Sequence, residues 1–211
     1  MVAWITPDWS APTFVRALTT ERTPVHPNQP YSGFNLATHV GDNLNVVHQN
    51  RQALEETLHI PPISWLHQTH STTVIHLEET TSREGDACYT TKANQVCAVL
   101  TADCLPILLC HQDIPWAASV HAGWRGLAHG ILPRTLEKAP PGPKLAWLGP
   151  AIGPTAYEVG QDVYSAFSEK DKEGAFSQKS DTHYDLNLYA IARNQFAHAG
   201  LTAVSGGGRC T

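Results

Sequence analysis

Fifteen glycines and fifteen prolines are spread along 211 residues, and they cut the chain into short segments. Few stretches between them can support a long helix, so a helix bundle is excluded and a loop-rich mixed α and β chain is implied. A length near 200 residues suits one domain, and at that size roughly 70% of the unfolded surface can be buried without help from disulfides. The charged fraction is 16%, below the usual ~25%, and the hydrophobic fraction is 42%, which argues against disorder and coiled coil. The net charge of −5 and the lack of a Lys/Arg run exclude a nucleic-acid footprint.

The five cysteines are Cys88, Cys97, Cys104, Cys110 and Cys210, an odd number with no C-x-x-C pair. That distribution speaks for a reducing compartment rather than a disulfide framework. The first twenty residues have no basic start followed by an apolar run, and no apolar stretch is long enough to span a membrane. The expectation is a soluble cytoplasmic protein, with no membrane or nucleic-acid partner and an oligomeric state that the sequence leaves open.

Hydrophobic spacing supplies the elements. Residues 1–18 alternate weakly as one or two strands, and Thr19 to Gly33 reads as a loop. Asn43 opens a helix whose Leu44, Val47, Leu54 and Leu58 share one face, and Pro61-Pro62 ends it. Ser64 to Leu77 is β-like. Gln95–Leu100, Leu105–Cys110 and Trp116–Val120 are short apolar runs of buried-strand type, and Leu145–Leu148 is another strand. The helix after Gly123 must hold Pro133 in its first turn or kink there. Val159 to Ser168 reads as helical. Asp185 is the expected N-cap of a helix bearing Leu188, Ile191, Ala192 and Phe196, ended by Gly200. Leu201–Val204 is a last strand. Strands and helices mix without strict alternation, so the fold class is α+β, a mixed sheet or sandwich with helices outside.

Reactive side chains gather in three segments beside these strands: His67-Gln68-Thr69-His70, Asp103-Cys104, and His121 with Arg125. One cysteine and two histidines form a good Zn²⁺ set, because thiolate and imidazole both suit a borderline-soft ion and three ligands leave a fourth position open. Taken one at a time, each has an ordinary role in packing or surface hydrogen bonding. The same residues also allow Cys104 as a nucleophile with His121 or His70 as its base. Copper is a third option, although no H-x-H or H-C-H cluster of the multicopper type is present. Arg125 follows a Gly turn and suits an anion such as phosphate. Asp103, beside Cys104, is the candidate general acid/base, with turn formation as its competing role. The rigid Gly149–Pro154 loop, followed by Tyr157-Glu158, could wall a pocket.

Together the strings GFNLATHVGDN at 33–43, HQTHSTTV at 67–74, TADCLPILL at 101–109, HAGWRGLAHG at 121–130, LGPAIGPTAYEVG at 148–160, DLNLYAIARNQ at 185–195 and the terminal Cys-Thr resemble the YfiH-type family. Its members are called polyphenol oxidase or laccase-domain protein, purine nucleoside phosphorylase, and peptidoglycan editing factor. The resemblance runs from Leu18 onward over a single domain, 1–211. It implies a cytoplasmic enzyme with a mixed β-sandwich α+β fold and one metal, usually zinc, with copper possible. The ligand positions carry over onto His70, Cys104 and His121; His67 is not at the matching position and has the opposite strand parity. Cys104, His121 and Asp103 are then the catalytic candidates and Arg125 the phosphate contact.

The implied activities are phosphorolysis of adenosine, inosine and methylthioadenosine, and deamination of adenosine, so the partners expected are a purine nucleoside and phosphate. The alternatives are copper-linked phenol oxidation and an amidase that edits a peptidoglycan precursor. A metal-binding module without activity is a weaker reading. Two departures bear on the substrate site. Thr19-Thr20-Glu21-Arg22-Thr23-Pro24 lacks the glycines of the family's T-T-R-x-G-G-V-S-like loop, and the S-Y-R-R-like tail that follows Cys-Thr in the family is not among the 211 residues.

Overall fold

Alternation along the segment Leu105–His111 sets the layers of the molecule. In this computed structural model, which describes residues 2–22 and 30–211, Leu105, Ile107 and Leu109 enter the largest hydrophobic cluster. The intervening Pro106, Leu108 and Cys110 turn to the opposite face, because successive strand side chains alternate. Both faces are covered, so the strand reads as a continuous apolar run.

This strand is β5, the centre of a six-stranded sheet. In chain order the strands of that sheet are β3 (Val74–His76), β4 (Ala87–Thr90), β5 (Leu105–His111), β6 (Ala117–Ala122), β7 (Lys144–Leu148) and β11 (Val204–Gly206). Their spatial order is β11-β7-β5-β6-β4-β3. The inner pairs are antiparallel, whereas β11 lies parallel to β7 and β3 parallel to β4. A smaller antiparallel sheet joins β8 (Glu158–Gly160), β10 (His183–Leu186) and β9 (Phe176–Gln178) in that order, and β1 (Ala3–Ile5) pairs with β2 (Thr19–Glu21). The fold is therefore α+β with a mixed sheet, as the rhythm of the chain implies.

The helices are α1 (Leu44–Leu58), α2 (Trp124–Ala128), α3 (Ile131–Leu136), α4 (Gln161–Ser165), α5 (Glu169–Lys172) and α6 (Leu188–His198). Leu127 of α2, Ile131 and Leu132 of α3, and Leu188, Ile191 and Phe196 of α6 share the cluster of Leu105, Ile107 and Leu109. Gln195 on α6 donates to the Leu127 carbonyl at 3.0 Å and ties two of these helices together. Pro133 falls in the first turn of α3, after Gly130 at φ +87° separates that helix from α2. No helix among the described residues is long and apolar enough to cross a membrane, and all five cysteines are free thiols.

Several local expectations are corrected. Val47, Leu54 and Leu58 of α1 are buried, but Leu44 is 52% exposed in the first turn. Of the β-like stretch Ser64–Leu77 only Val74–His76 is strand. The run Gln95–Leu100 forms no strand, because side chains satisfy its backbone instead of a ladder. Gln68 both donates to and accepts from the Leu100 backbone at 2.7 Å, and the Ser119 hydroxyl donates to the Cys97 carbonyl at 2.8 Å. Val159 belongs to β8, and only Gln161–Ser165 is helical after it. The last strand begins at Val204 rather than at Leu201. Within the stretch read as a loop, Thr19–Glu21 is strand β2, and residues 23–29, including Thr23 and Pro24, lie outside the described residues.

Asp185 is not a helix cap. It sits in β10, where the Leu186 N–H still bonds the Tyr157 carbonyl at 2.9 Å, so the strand continues past it. Asn187 caps α6 instead, its side-chain oxygen accepting from the Ala190 N–H at 3.2 Å. Asn187→Ala is expected to cost about 1 kcal/mol in urea unfolding through loss of this cap, whereas Asp185→Ala leaves the cap bond intact.

Candidate metal centre

Strand β6 carries His121 near its end, where Val120 and Ala122 turn into the main core and His121 therefore turns to the other face. Pro106 of β5 lies opposite it in the antiparallel register. That register brings Cys104, two residues before Pro106, beside the same end of the sheet. His70 comes from a separate loop. The three donor atoms of His70, Cys104 and His121 lie within 4.8 Å of one another, the one such His/Cys/carboxylate trio among the described residues. The two imidazole rings meet edge to face at 4.8 Å, and the Cys104 Sγ stands 3.8 Å from His70 Nε2.

A buried carboxylate organises this convergence. Asp86, fully buried, immediately precedes β4. Its side chain accepts from the backbone N–H groups of Thr69, His70 and Ser71 at 3.2, 3.0 and 2.6 Å, and from the Ser71 hydroxyl at 2.7 Å. It also accepts from His121 Nδ1 at 2.8 Å. One side chain therefore fixes the loop that presents His70 and, through Nδ1, the orientation of the His121 ring, turning its other nitrogen to Cys104. The Asp86 carbonyl takes the His121 N–H as well, at 2.7 Å. His70 adopts φ +59°, a left-handed conformation uncommon outside glycine, and the three N–H bonds to Asp86 over-determine it.

The charges are consistent with this geometry. Burial works against ionisation of Asp86, yet the hydrogen bonds from His121, Ser71 and Thr69 hold it down at about 2. Burial would likewise lower His121, but its hydrogen bonds to Asp86 and Cys104, with their charges, bring it up to about 9. His70 is pushed below its ordinary value, first by burial, then by the charges of His121 and Arg125, against the opposing pull of Asp86. Gly123 leaves the space between ligands open: a Cβ there would meet Cys104 Sγ at 2.7 Å and the His70 ring at 3.2 Å.

Two imidazoles and a thiolate fit a zinc-like ion on donor chemistry, and three protein ligands are one short of the usual four. The remaining candidates sit close by. Asp103 is exposed, and its Oδ1 accepts from the Thr211 hydroxyl at 3.0 Å. Arg125 is exposed, its guanidinium 4.4 Å above the Trp124 ring, and among the described residues it forms no ion pair. His67 forms a parallel backbone bridge with Glu84 and is not one of the trio.

The model for the family described as multi-copper polyphenol oxidoreductase laccase matches residues 16–211. The chain belongs to this family, the YfiH-type family. A Pseudomonas aeruginosa relative named purine nucleoside phosphorylase is 41% identical over 216 residues, covering 100% of this chain and 89% of its own. The Escherichia coli relative named purine nucleoside phosphorylase YfiH is 41% identical over 215 residues, covering 98% of this chain and 88% of its own. Among solved structures, a Neisseria meningitidis protein superimposes with a TM-score of 0.91 at 39% identity, over 98% of this chain and 88% of that one. YlmD from Geobacillus stearothermophilus gives 0.82 at 28% identity, over 99% of this chain and 86% of that one.

In this YfiH-type chain Asp86 went unmarked in the sequence because it belongs to no motif and its strand, β4, breaks no pattern; the one signal was a Gly-Asp pair opening a short apolar run. Asp86→Asn puts an amide where five donors converge. It is expected to weaken zinc binding about 10–100-fold in competition with a chromophoric chelator.

Proposed function

We propose that this chain is a purine nucleoside phosphorylase whose site is the His70–Cys104–His121 centre holding one zinc ion. The observation that carries the reading is that centre, braced by Asp86, in a chain whose relatives bear that name. The ion, when bound, supplies a Lewis acid with one net positive charge left after the single thiolate. Copper satisfies the same three donors.

The chain's own groups divide the remaining tasks. Phosphate must stand at the ribose C1′ as the C1′–N9 bond breaks. Arg125, exposed and without an ion pair among the described residues, is the cation assigned to it, with Trp124 stacked under its guanidinium. The departing purine nitrogen must gain a proton, and Asp103, next to Cys104 in the chain, is the carboxylate assigned to relay it. His121 and Asp86 act behind the centre, one as a ligand and the other as its brace. The substrates in this reading are adenosine, inosine and methylthioadenosine. With water in place of phosphate and C6 of adenine as the electrophile, the same carboxylate serves deamination of adenosine with release of ammonia. The compartment in this reading is the cytoplasm.

Oxidation of phenols by a multicopper centre lacks support among the described residues, which offer one three-ligand group rather than several. The amidase reading draws on the 3.8 Å approach of Cys104 Sγ to His70 Nε2, a nucleophile–base distance. Cys104→Ala tests both. Loss of bound metal together with loss of inosine phosphorolysis is the expected result. Retained metal with lost hydrolysis of a muropeptide amide assigns Cys104 as nucleophile. Arg125→Lys keeps the charge and loses the two-pronged guanidinium. The phosphate KM is expected to rise about tenfold in steady-state assays while the melting temperature holds. A lower melting temperature with unchanged phosphate dependence assigns Arg125 to the scaffold.

A further inference from the structure

The glutamine within His67-Gln68-Thr69-His70 has no part in the activity proposed above, yet its side chain is fully engaged. Just before it, Leu66 is buried in a small cluster against which Cys97 and Val99 pack, while Trp65 and Leu100 pack against another. These contacts lay the segment 95–100 alongside the chain that leads to His70. Leu100 lies outside any strand. Its N–H donates to Gln68 Oε1 and its carbonyl accepts from Gln68 Nε2, both at 2.7 Å. A primary amide carries the same donor and acceptor as a peptide group, so Gln68 takes the place of a neighbouring strand for this one residue.

The three ligands of the centre define a triangle, and the chain braces each of its sides. The side from His121 to Cys104 is set by the ladder of β5 and β6, which pairs Leu105 with Ala122 and Pro106 with His121. The side from His121 to His70 is set by Asp86, which accepts from His121 and from the backbone N–H groups of Thr69, His70 and Ser71. Those two braces leave the angle between them open, and with it the separation of His70 from Cys104. Gln68 closes that angle: it stands two residues before His70 and grips Leu100, four residues before Cys104. Apart from the 3.8 Å approach of Cys104 Sγ to His70 Nε2, its two bonds are the only hydrogen bonds between residues 67–71 and 100–104 among the described residues.

We propose that Gln68 is a positioning residue of the metal centre, its amide fixing the separation of Cys104 from His70 at which one ion can take both. The proposal rests on the zinc reading above and adds to it the brace on the Cys104 side. Ligands held in place by the protein lose little freedom when the ion arrives, which raises affinity and restricts the coordination geometry.

Gln68→Met keeps the length of the side chain and removes both bonds. Zinc affinity, read in competition with a chromophoric chelator, is expected to fall about tenfold or more, the range for residues that orient ligands. With Co²⁺ in place of zinc, the visible bands of a four-coordinate site should weaken as the ligand set opens. Ser119→Ala is the control, because it cuts the other tether of segment 95–100, at the Cys97 carbonyl, and leaves Leu100 held. It is expected to lower the melting temperature with zinc affinity and cobalt spectrum unchanged. Gln68→Glu retains an acceptor for the Leu100 N–H and loses the donor, which gives a second reading in the same assays should Gln68→Met fold poorly. Wild-type affinity and spectrum in the Gln68 variants overturn the proposal, as does a loss of affinity in Ser119→Ala equal to that in Gln68→Met. If wild-type protein binds neither zinc nor cobalt, the metal reading fails and the proposal falls with it. If it binds both ions and cleaves no nucleoside, only the phosphorolysis reading fails, and the affinities still decide the role of Gln68.

Discussion

The structure turns on the fully buried carboxylate of Asp86. Burying an unpaired charge is prohibitive, so this one must collect donors from wherever the chain can deliver them. It takes three consecutive backbone N–H groups, one hydroxyl and one imidazole. Meeting that demand draws the 69–71 loop against β6, which is how two histidines far apart in sequence come to face one thiol. The donor geometry follows from the folding constraint rather than standing beside it. A structure that satisfied Asp86 in another way would have no trio.

How much of this was legible in the sequence depends on range. Leu105, Ile107 and Leu109 are read correctly as strand because a buried strand is a local pattern of apolar residues between turn signals. Asn43 is read correctly as the start of α1 because capping is local too, its oxygen accepting from the Asn45 N–H at 2.9 Å. Gln95–Leu100 misleads for the opposite reason. It is apolar and half buried like a strand, but Gln68 and Ser119 reach it from elsewhere in the chain, and nothing within the segment announces them. Asp185 and Asn187 are equally good caps by residue type, and the pairing of β10 with β8 selects the second. The trio itself was nameable because His70, Cys104 and His121 stand in strings that resemble a family. Spacing alone left His67 and His70 open.

The site occupies the place where the main sheet stops being regular. β5 begins just after Cys104 and β6 ends just after His121, so both residues have one rigid neighbour and one free side. Rigid strand ends position the donors, while the loops beyond them leave room for a ligand. Gly123 serves the same end by omission, since a Cβ there would press on Cys104 Sγ at 2.7 Å and on the His70 ring at 3.2 Å. Arg125 follows in the first turn of α2, the helix that starts directly after β6 and Gly123.

The chain separation of the donors has a thermodynamic meaning. Cys104 lies 34 residues from His70. An ion shared by such donors is a cross-link, closing long loops that the unfolded chain leaves open. Native protein and ion are then coupled by mass action: free metal at a hundred times its dissociation constant adds about 2.7 kcal/mol to stability, a sizeable part of the ~5–15 kcal/mol on which a domain survives. The metal supply of the surrounding compartment would thus set the margin of stability of this chain as well as how much of it is active.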